Sequence, residues 1–157
     1  MQKKTLVIEY EEYQSAADLP ESDRELLESA VEALSGSYAP YSHFNVGAAV
    51  RLDDGRIVKG ANQENAAYPS CLCAERTAMY AASAQNPGRK LVSLAVICSQ
   101  NGALLEAPGA PCGACRQVMA QYERECGRPM RIILGSRNEI RVFNGVASLM
   151  PFIFDNL

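Results

Sequence analysis

The chain has 157 residues, of which 48% are hydrophobic and 21% are charged, and this balance predicts one globular domain with its own apolar core. Its formal net charge of −3 argues against nucleic acid as a partner, because phosphate-lined polymers are bound by an excess of lysine and arginine, and favours a small-molecule substrate. No apolar stretch is long enough for a membrane span or a signal peptide, so we expect no membrane partner and a cytoplasmic protein whose six cysteines stay reduced.

Residues 1–36 are predicted to form a strand and a helix that extend the domain at its N-terminus. Residues 5–13 mix β-branched and aromatic residues with charged ones, which is typical of a strand. Residues 24–34 carry apolar side chains at helical spacing, and Gly36 follows as a stop signal. We find no catalytic chemistry here, so we expect a single domain over residues 1–157 with residues 1–36 packed on it as an extension.

A hairpin and a polar loop follow. Residues 46–52 place their larger apolar side chains at alternate positions, as in a strand, and a turn at 53–55 leads to a second arm at 56–61. Residues 62–69 are polar and irregular, and we expect them to bind ligand because they follow a strand and precede a helix that carries chemistry. The single histidine lies in a polar loop before the hairpin, where histidines are usually solvated, and receives no role.

The second half alternates between helices and strands. Helices are predicted over residues 73–85 and 112–124, and the nearly continuous apolar run at 91–98 predicts a strand buried on both faces. Two further strands are predicted at 130–135 and 139–143. Strands joined through helices run parallel and hairpins add antiparallel edges, so we expect an α/β fold with a mixed sheet and helices on its faces.

Two cysteine motifs stand at predicted helix starts, and they are Cys71-Leu72-Cys73-Ala74-Glu75-Arg76 and Pro111-Cys112-Gly113-Ala114-Cys115. The N-terminus of a helix favours a thiolate, which is the form that binds metal. Three of these thiolates, from Cys73, Cys112 and Cys115, can hold one zinc ion and leave a fourth position open for water. Glu75 follows Cys73 closely enough to face the same cavity and transfer protons.

Two other interpretations of the cysteines stay open, and we rank them below catalytic zinc. Adding Cys71 would close a four-cysteine structural site and make the protein a binding module. The single residue between Cys71 and Cys73 is a narrower gap than the usual spacing of about two to four residues, and a structural site has no use for Glu75. The third interpretation is a redox dithiol at Cys112 and Cys115, but a long loop precedes this pair and not a strand.

The chain resembles the small, homotetrameric, zinc-dependent cytidine deaminases. The resemblance rests on ordered motifs, which are Tyr38-Ala39-Pro40-Tyr41-Ser42, Phe44-x-Val46-Gly47-Ala48-Ala49, Gly60-x-Asn62-x-Glu64-Asn65-Ala66, Cys73-Ala74-Glu75-Arg76-Thr77-Ala78, Pro111-Cys112-Gly113-x-Cys115-Arg116-Gln117 and Leu149-Met150-Pro151-x-x-Phe154. It implies a three-layer α/β/α sandwich with a mixed, mainly five-stranded sheet, and one zinc ion per chain. The implied reaction is hydrolytic deamination of cytidine and deoxycytidine to the uridines and ammonia, as in pyrimidine salvage. The alternatives are deamination of another cytosine nucleoside, such as an antibiotic, and a non-catalytic structural-zinc module.

The resemblance also implies the roles at the metal. Cys73, Cys112 and Cys115 are implied as the zinc ligands, and Glu75 as the group that moves protons from water to the ring nitrogen N3 and to the departing ammonia. Arg76 lies three residues after Cys73 on the same predicted helix, where its guanidinium can donate to the ligand sulfurs.

The substrate positions are implied in the same way. Phe44 is expected to pack on the base, and Asn62 and Glu64 to bind the ribose 3′-hydroxyl. Tyr68 and Phe154 match positions that reach the active site of a neighbouring subunit, which implies a homotetramer with shared active sites.

Overall fold

Seven strands and three α-helices make up the fold over residues 1–155, which are the residues that this computed structural model describes. The strands are β1 Glu11–Tyr13, β2 Phe44–Leu52, β3 Ile57–Ala61, β4 Leu91–Gln100, β5 Ala103–Leu104, β6 Arg131–Gly135 and β7 Ile140–Asn144. The helices are α1 Glu21–Ala33, α2 Ala74–Gln85 and α3 Gly113–Cys126. Asn156 and Leu157, the last two residues of the predicted domain, lie outside the described residues.

One mixed sheet contains all seven strands in the order β1-β7-β6-β4-β2-β3, with β5 paired to β4. β4 and β6 run parallel because the chain crosses between them through α3, whereas the other described pairs are antiparallel. α1 packs on one face of the sheet, and α2 and α3 pack on the other. The predicted three-layer α/β/α sandwich is therefore confirmed, and its sheet has seven strands instead of mainly five.

Short strands account for the difference in number. β5 has two residues and forms a hairpin with β4 through Asn101 and Gly102, which both adopt positive φ. β1 has three residues, whereas the sequence predicted a strand over residues 5–13. Residues 5–8 lie past the end of β7 and have no strand to pair with in the described part of the chain. Runs of two or three paired residues are too short to produce a readable periodicity.

Both faces of the sheet bury apolar side chains. On one face Leu94 packs with Met79 of α2 and Met119 of α3. On the other face Ile133 packs with Leu26 of α1. β4 is buried along nearly its whole length, as its apolar run predicted. None of the described helices is both long and apolar enough to cross a membrane.

Two glycines allow helices to lie directly against strands. A Cβ at Gly47 would lie 2.1 Å from the Ala30 carbonyl oxygen of α1, and a Cβ at Gly60 would lie 2.4 Å from the Ala78 nitrogen of α2. Both distances are shorter than any real Cβ contact, so the two positions require glycine. Gly60 thereby sets how α2 sits on β3, and with it the position of Cys73 at the start of that helix.

Arg131 connects the N-terminal part of the chain to the sheet. Its Nε donates to Asp23 of α1 at 2.7 Å, and its terminal nitrogens donate to Glu11 of β1 at 3.2 and 3.3 Å. The ring of Tyr10 stacks on Phe143 of β7 with centroids 5.3 Å apart. The first 36 residues therefore contact the sheet both through β1 and through α1.

Gly60→Ala is expected to lower the free energy of unfolding by about 1–3 kcal/mol, because the added methyl group forces α2 away from β3. Gly36→Ala is the matched control, since its Cβ would meet the Ala61 Cβ at an ordinary 3.7 Å. Urea unfolding of the two variants checks the difference. Equal stability would show that α2 does not rest on Gly60.

Candidate active site

Two helix N-termini carry the predicted metal ligands. Cys73 is the N-cap of α2 and Cys112 is the N-cap of α3, and both have extended backbones with no side-chain cap hydrogen bond. Cys115 lies in the first turn of α3 and is buried. The backbone N–H groups of a first helical turn favour negative charge, so these positions suit thiolates.

The three sulfurs lie together. The Sγ atoms of Cys73, Cys112 and Cys115 are all within 4.8 Å of one another, and this is the one such cluster found among residues 1–155. Cys73 Sγ lies 3.8 Å from Cys112 Sγ, which lies 3.5 Å from Cys115 Sγ. Tetrahedral zinc with Zn–S bonds of about 2.3 Å spaces its sulfurs by about 3.8 Å, so the three thiols fit a zinc ion.

Cys71 does not join this cluster. Its Sγ accepts a hydrogen bond from the Asn65 backbone N–H at 3.2 Å and lies 3.6 Å from the Asn65 carbonyl oxygen. The closed four-cysteine site is therefore not formed, and three thiols leave one tetrahedral position for another ligand.

Arg76 lies against the thiols. One terminal guanidinium nitrogen is 3.4 Å from Cys73 Sγ, and its hydrogen bond to Cys73 raises the pKa of Arg76. The pKa of Cys73 falls to about 5, chiefly through its hydrogen bond with Cys115, with Arg76 lowering it further. The same sulfur–sulfur hydrogen bond raises the pKa of Cys115, so the negative charge concentrates on Cys73. The Arg76 Nε is buried and has no hydrogen-bond partner in the described part of the chain.

Glu75 is a buried carboxyl group on the wall of a cavity. The residue is only 5% exposed, yet it lines the cavity together with Cys73 and Cys112. Burial raises the pKa of Glu75, and the negative charge of Cys73 raises it further. A carboxyl group that is easier to protonate is suited to exchange protons with a bound molecule.

The cavity has a volume of 710 Å³ and brings together most of the predicted substrate residues. Phe44, Asn62, Glu64 and Tyr68 all line it. Phe154 is not among its lining residues. Its backbone carbonyl accepts a hydrogen bond from the Gln117 side chain at 2.8 Å, and the residue is 68% exposed. The described chain thus contains a metal site and a substrate-sized cavity, and the C-terminal aromatic residue lies outside the lining of that cavity.

Asn62 holds the start of β2. Its Oδ1 accepts hydrogen bonds from the Val46 backbone N–H at 2.8 Å and from the Ser37 hydroxyl at 2.6 Å. Its Nδ2 donates to the Phe44 carbonyl oxygen at 2.9 Å. Asn62 therefore positions Phe44 as well as lining the cavity. The support that the Ser37 hydroxyl gives to Asn62 was not predicted from the sequence.

Glu64 holds the loop that precedes β2. Its carboxylate accepts from the Tyr41 and Ser42 backbone N–H groups at 2.8 and 3.3 Å, and from the Ser42 hydroxyl. The Ser42 hydroxyl contributes most to holding the pKa of Glu64 below its usual range. No role was predicted for Ser42 from the sequence, although a hydroxyl next to a proline-containing loop is a signal of such anchoring.

Arg116 is a third residue, after Ser37 and Ser42, whose role was not predicted from the sequence. Its Nε donates to the Pro111 carbonyl oxygen at 2.7 Å, and its terminal nitrogen donates to the Leu149 carbonyl oxygen. Arg116 therefore links the loop that carries Cys112 with the C-terminal segment around Leu149. The signal in the sequence was an arginine directly after Cys115 in the second cysteine motif.

A three-thiol metal centre with an open position beside a buried carboxylate is arranged for metal-assisted hydrolysis. Residues 20–126 match the family model described as the cytidine and deoxycytidylate deaminase zinc-binding region. The chain is 40% identical over 134 residues to a cytidine deaminase of Halalkalibacterium halodurans, which covers 84% of this chain and 94% of that one. The chain therefore belongs to the cytidine and deoxycytidylate deaminase family, and the resemblance seen in its motifs is confirmed.

Solved structures agree with this assignment. The crystal structure of cytidine deaminase from Burkholderia pseudomallei has a TM-score of 0.72 and 39% identity, and covers 83% of this chain and 97% of that one. Cytidine deaminase from Mycobacterium tuberculosis has a TM-score of 0.65 and 35% identity, and covers 84% and 96%. Zinc is thus the metal expected from the family, and the geometry of the thiol cluster fits it.

Cys112→Ala is expected to lose zinc, because it removes one of the three clustered sulfurs. Cys71→Ala is the matched control and is expected to retain zinc, because the Cys71 sulfur contacts Asn65 instead of the cluster. The measurement is the zinc content of each purified variant by mass spectrometry. Loss of zinc from Cys71→Ala would contradict the three-thiol site.

Proposed function

We propose that this protein is a zinc-dependent hydrolase that deaminates cytidine and deoxycytidine to uridine and deoxyuridine with release of ammonia. The observation that carries the proposal is that buried Glu75 lines one cavity together with Cys73 and Cys112, two of the three clustered thiols. Membership of the deaminase family supports it, as do relatives that are named cytidine deaminases.

Cys73, Cys112 and Cys115 would hold the zinc ion, which when bound supplies Lewis acidity and activates water near neutral pH. Glu75 is the proton-transfer group of the proposed mechanism. It accepts a proton from water and delivers it to the ring nitrogen N3, then takes the proton of the hydroxyl group added at C4 and passes it to the amino group, which leaves as ammonia. Its burial excludes bulk water from these transfers, and its raised pKa brings proton donation within reach.

Arg76 would stabilise the charge of the metal site. Three thiolates around a divalent zinc ion leave a formal charge of −1, and the guanidinium next to Cys73 offsets it. In the proposed mechanism Arg76 is a positioning and charge-balancing residue, because it acts through Cys73 and not on the substrate.

The ribose would be bound by Asn62 and Glu64. Asn62 Nδ2 donates one hydrogen to Phe44 and carries a second, which has no acceptor among the described residues. The Glu64 carboxylate stays ionised because its pKa is lowered, and it can accept a further hydrogen bond from a hydroxyl group. Phe44 lines the same cavity and would pack on the base.

We further propose a single domain over residues 1–157 and a homotetramer with shared active sites in the cytoplasm. Tyr68 is 71% exposed at the cavity and Phe154 is 68% exposed away from it, and aromatic residues are enriched at protein interfaces. Phe154 would complete the active site of a neighbouring subunit. The cytoplasm keeps thiols reduced, as a thiol-bound metal site requires.

Glu75→Gln is expected to retain zinc and fold but to lower kcat by at least about 10²–10⁴-fold, because an amide cannot transfer the proton. The measurement is the ultraviolet absorbance change as cytidine is converted to uridine. The zinc content and the unfolding curve of Glu75→Gln serve as the control, because they show whether the metal site and the fold are intact. A kcat within a few-fold of wild type would contradict the role of Glu75.

Free cytosine is expected to be a poor substrate, with kcat/KM lower than that of cytidine by about 10⁴-fold or more. Without a ribose, the polar groups of Asn62 and Glu64 lose their hydroxyl partner on binding. The same absorbance assay compares cytidine, deoxycytidine and cytosine. Equal values of kcat/KM for cytosine and cytidine would refute recognition of the ribose, and inactivity on all three compounds would refute the proposed reaction.

A further inference from the structure

The N-terminal segment, residues 3–13, has opposite charges at its two ends and apolar residues between them. Lys3 and Lys4 lie at one end, and Glu9, Glu11 and Glu12 lie towards the other. Its central apolar residues are largely exposed, with exposed fractions of 60% for Leu6, 75% for Val7 and 48% for Ile8. A segment of this kind is complementary in charge to a copy of itself that runs in the opposite direction.

The same segment continues an open sheet edge. β1 pairs with β7 along one side, and within residues 1–155 its other side has no partner strand. Tyr10 still follows the register of β1, since its ring stacks on Phe143 of β7. An edge with unpaired backbone N–H and C=O groups is a template for another strand.

We propose that the N-terminal segment pairs antiparallel with the same segment of a second copy of this chain, about a two-fold axis that passes by Ile8. Such an axis is perpendicular to the sheet, so the same residue in the two copies lies on the same face of the joined sheet. Ile8 then lies opposite its own copy, Leu6 lies opposite Tyr10, and Lys4 lies opposite Glu12. The two edge strands join the two sheets into one.

The side chains on one face support this register. In the paired segment residues 4, 6, 8, 10 and 12 would share a face, because strand side chains alternate. Across the axis they give two Lys4–Glu12 ion pairs around a row made of Leu6, Ile8 and Tyr10. Glu12 is available for this, because its described hydrogen bond is a long one of 3.4 Å from Gln14. Glu11, on the opposite face, is already bonded to Arg131.

The contact lies away from the active site. β1 is at one edge of the sheet, and β3, which leads into the loop that lines the cavity, is at the other. Pairing at β1 therefore depends neither on the proposed reaction nor on the proposed tetramer contacts of Tyr68 and Phe154. Variants in residues 4–8 are expected to keep the activity of the wild type.

Sedimentation equilibrium of the zinc-loaded full chain tests the association, with a variant lacking residues 2–9 as the reference mass. We expect the wild type to form larger assemblies than this reference, and Lys4→Glu to pair about tenfold or more weakly, because it places carboxylates opposite Glu12. Lys4→Arg is the matched control and is expected to pair like the wild type. Mixing Lys4→Glu with Glu12→Lys should restore pairing, since each contact between the two chains then joins opposite charges. Equal association states for the wild type and the truncated chain, or failure of the mixture to associate, would overturn the proposal.

Cross-linking tests the register. Ile8→Cys places two thiols opposite each other at the axis, within the Cα separation of about 4.4–6.8 Å that a disulfide spans. Val7→Cys is the control, because Val7 would lie opposite Glu9 of the second copy. Under mild oxidation of the zinc-loaded protein, we expect a reducible dimer band from Ile8→Cys well above the level of the wild type. A stronger band from Val7→Cys, or no added band from either variant, would overturn the proposed pairing.

Discussion

The negative charge of three closely spaced sulfurs is the constraint on which the rest of the site depends. The Sγ atoms of Cys73, Cys112 and Cys115 lie within 4.8 Å of one another, and three thiolates at that distance repel strongly unless positive charge is near. The fold brings the N-terminal ends of two helices to this point, and each end carries a partial positive charge. Arg76 adds a full charge at Cys73, and zinc would supply the remainder. The packing of α2 and α3 against the sheet therefore also places positive charge next to the three sulfurs.

The groups that line the cavity also hold its walls. Asn62 fastens Phe44 and Val46 at the start of β2, and Glu64 fastens the Tyr41–Ser42 backbone. A side chain held by such bonds loses little further freedom when a ligand binds, so in the proposed function it would recognise a hydroxyl group with high geometric discrimination. The same bonds mean that removing either side chain would disturb the loop as well as the proposed recognition of the sugar.

Most of the fold was predictable from the sequence because its main elements have strong local patterns. The hairpin of β2 and β3 follows from alternating apolar residues around a glycine turn, and α1, α2 and α3 were predicted with boundaries shifted by a few residues. The ends of the sheet were not predictable in this way. β1 and β5 exist because a neighbouring strand offers hydrogen bonds, and the sequence of so short a strand carries no periodic signal. The close approach at Gly60 likewise depends on a helix that follows it in the chain.

The sequence by itself determined the chemical content of the site: three cysteines and a glutamate at two helix starts, with spacings that suit zinc and one proton-transfer group. Spacing within a helix is local, so it can be read without coordinates. Only the tertiary structure decided which sulfurs meet, since Cys71 turns towards Asn65 although it lies two residues from Cys73. It also decided that Ser37 supports Asn62 from 25 positions away. Such contacts join residues that are distant in the chain, and they are set by how the layers pack, which no local pattern encodes.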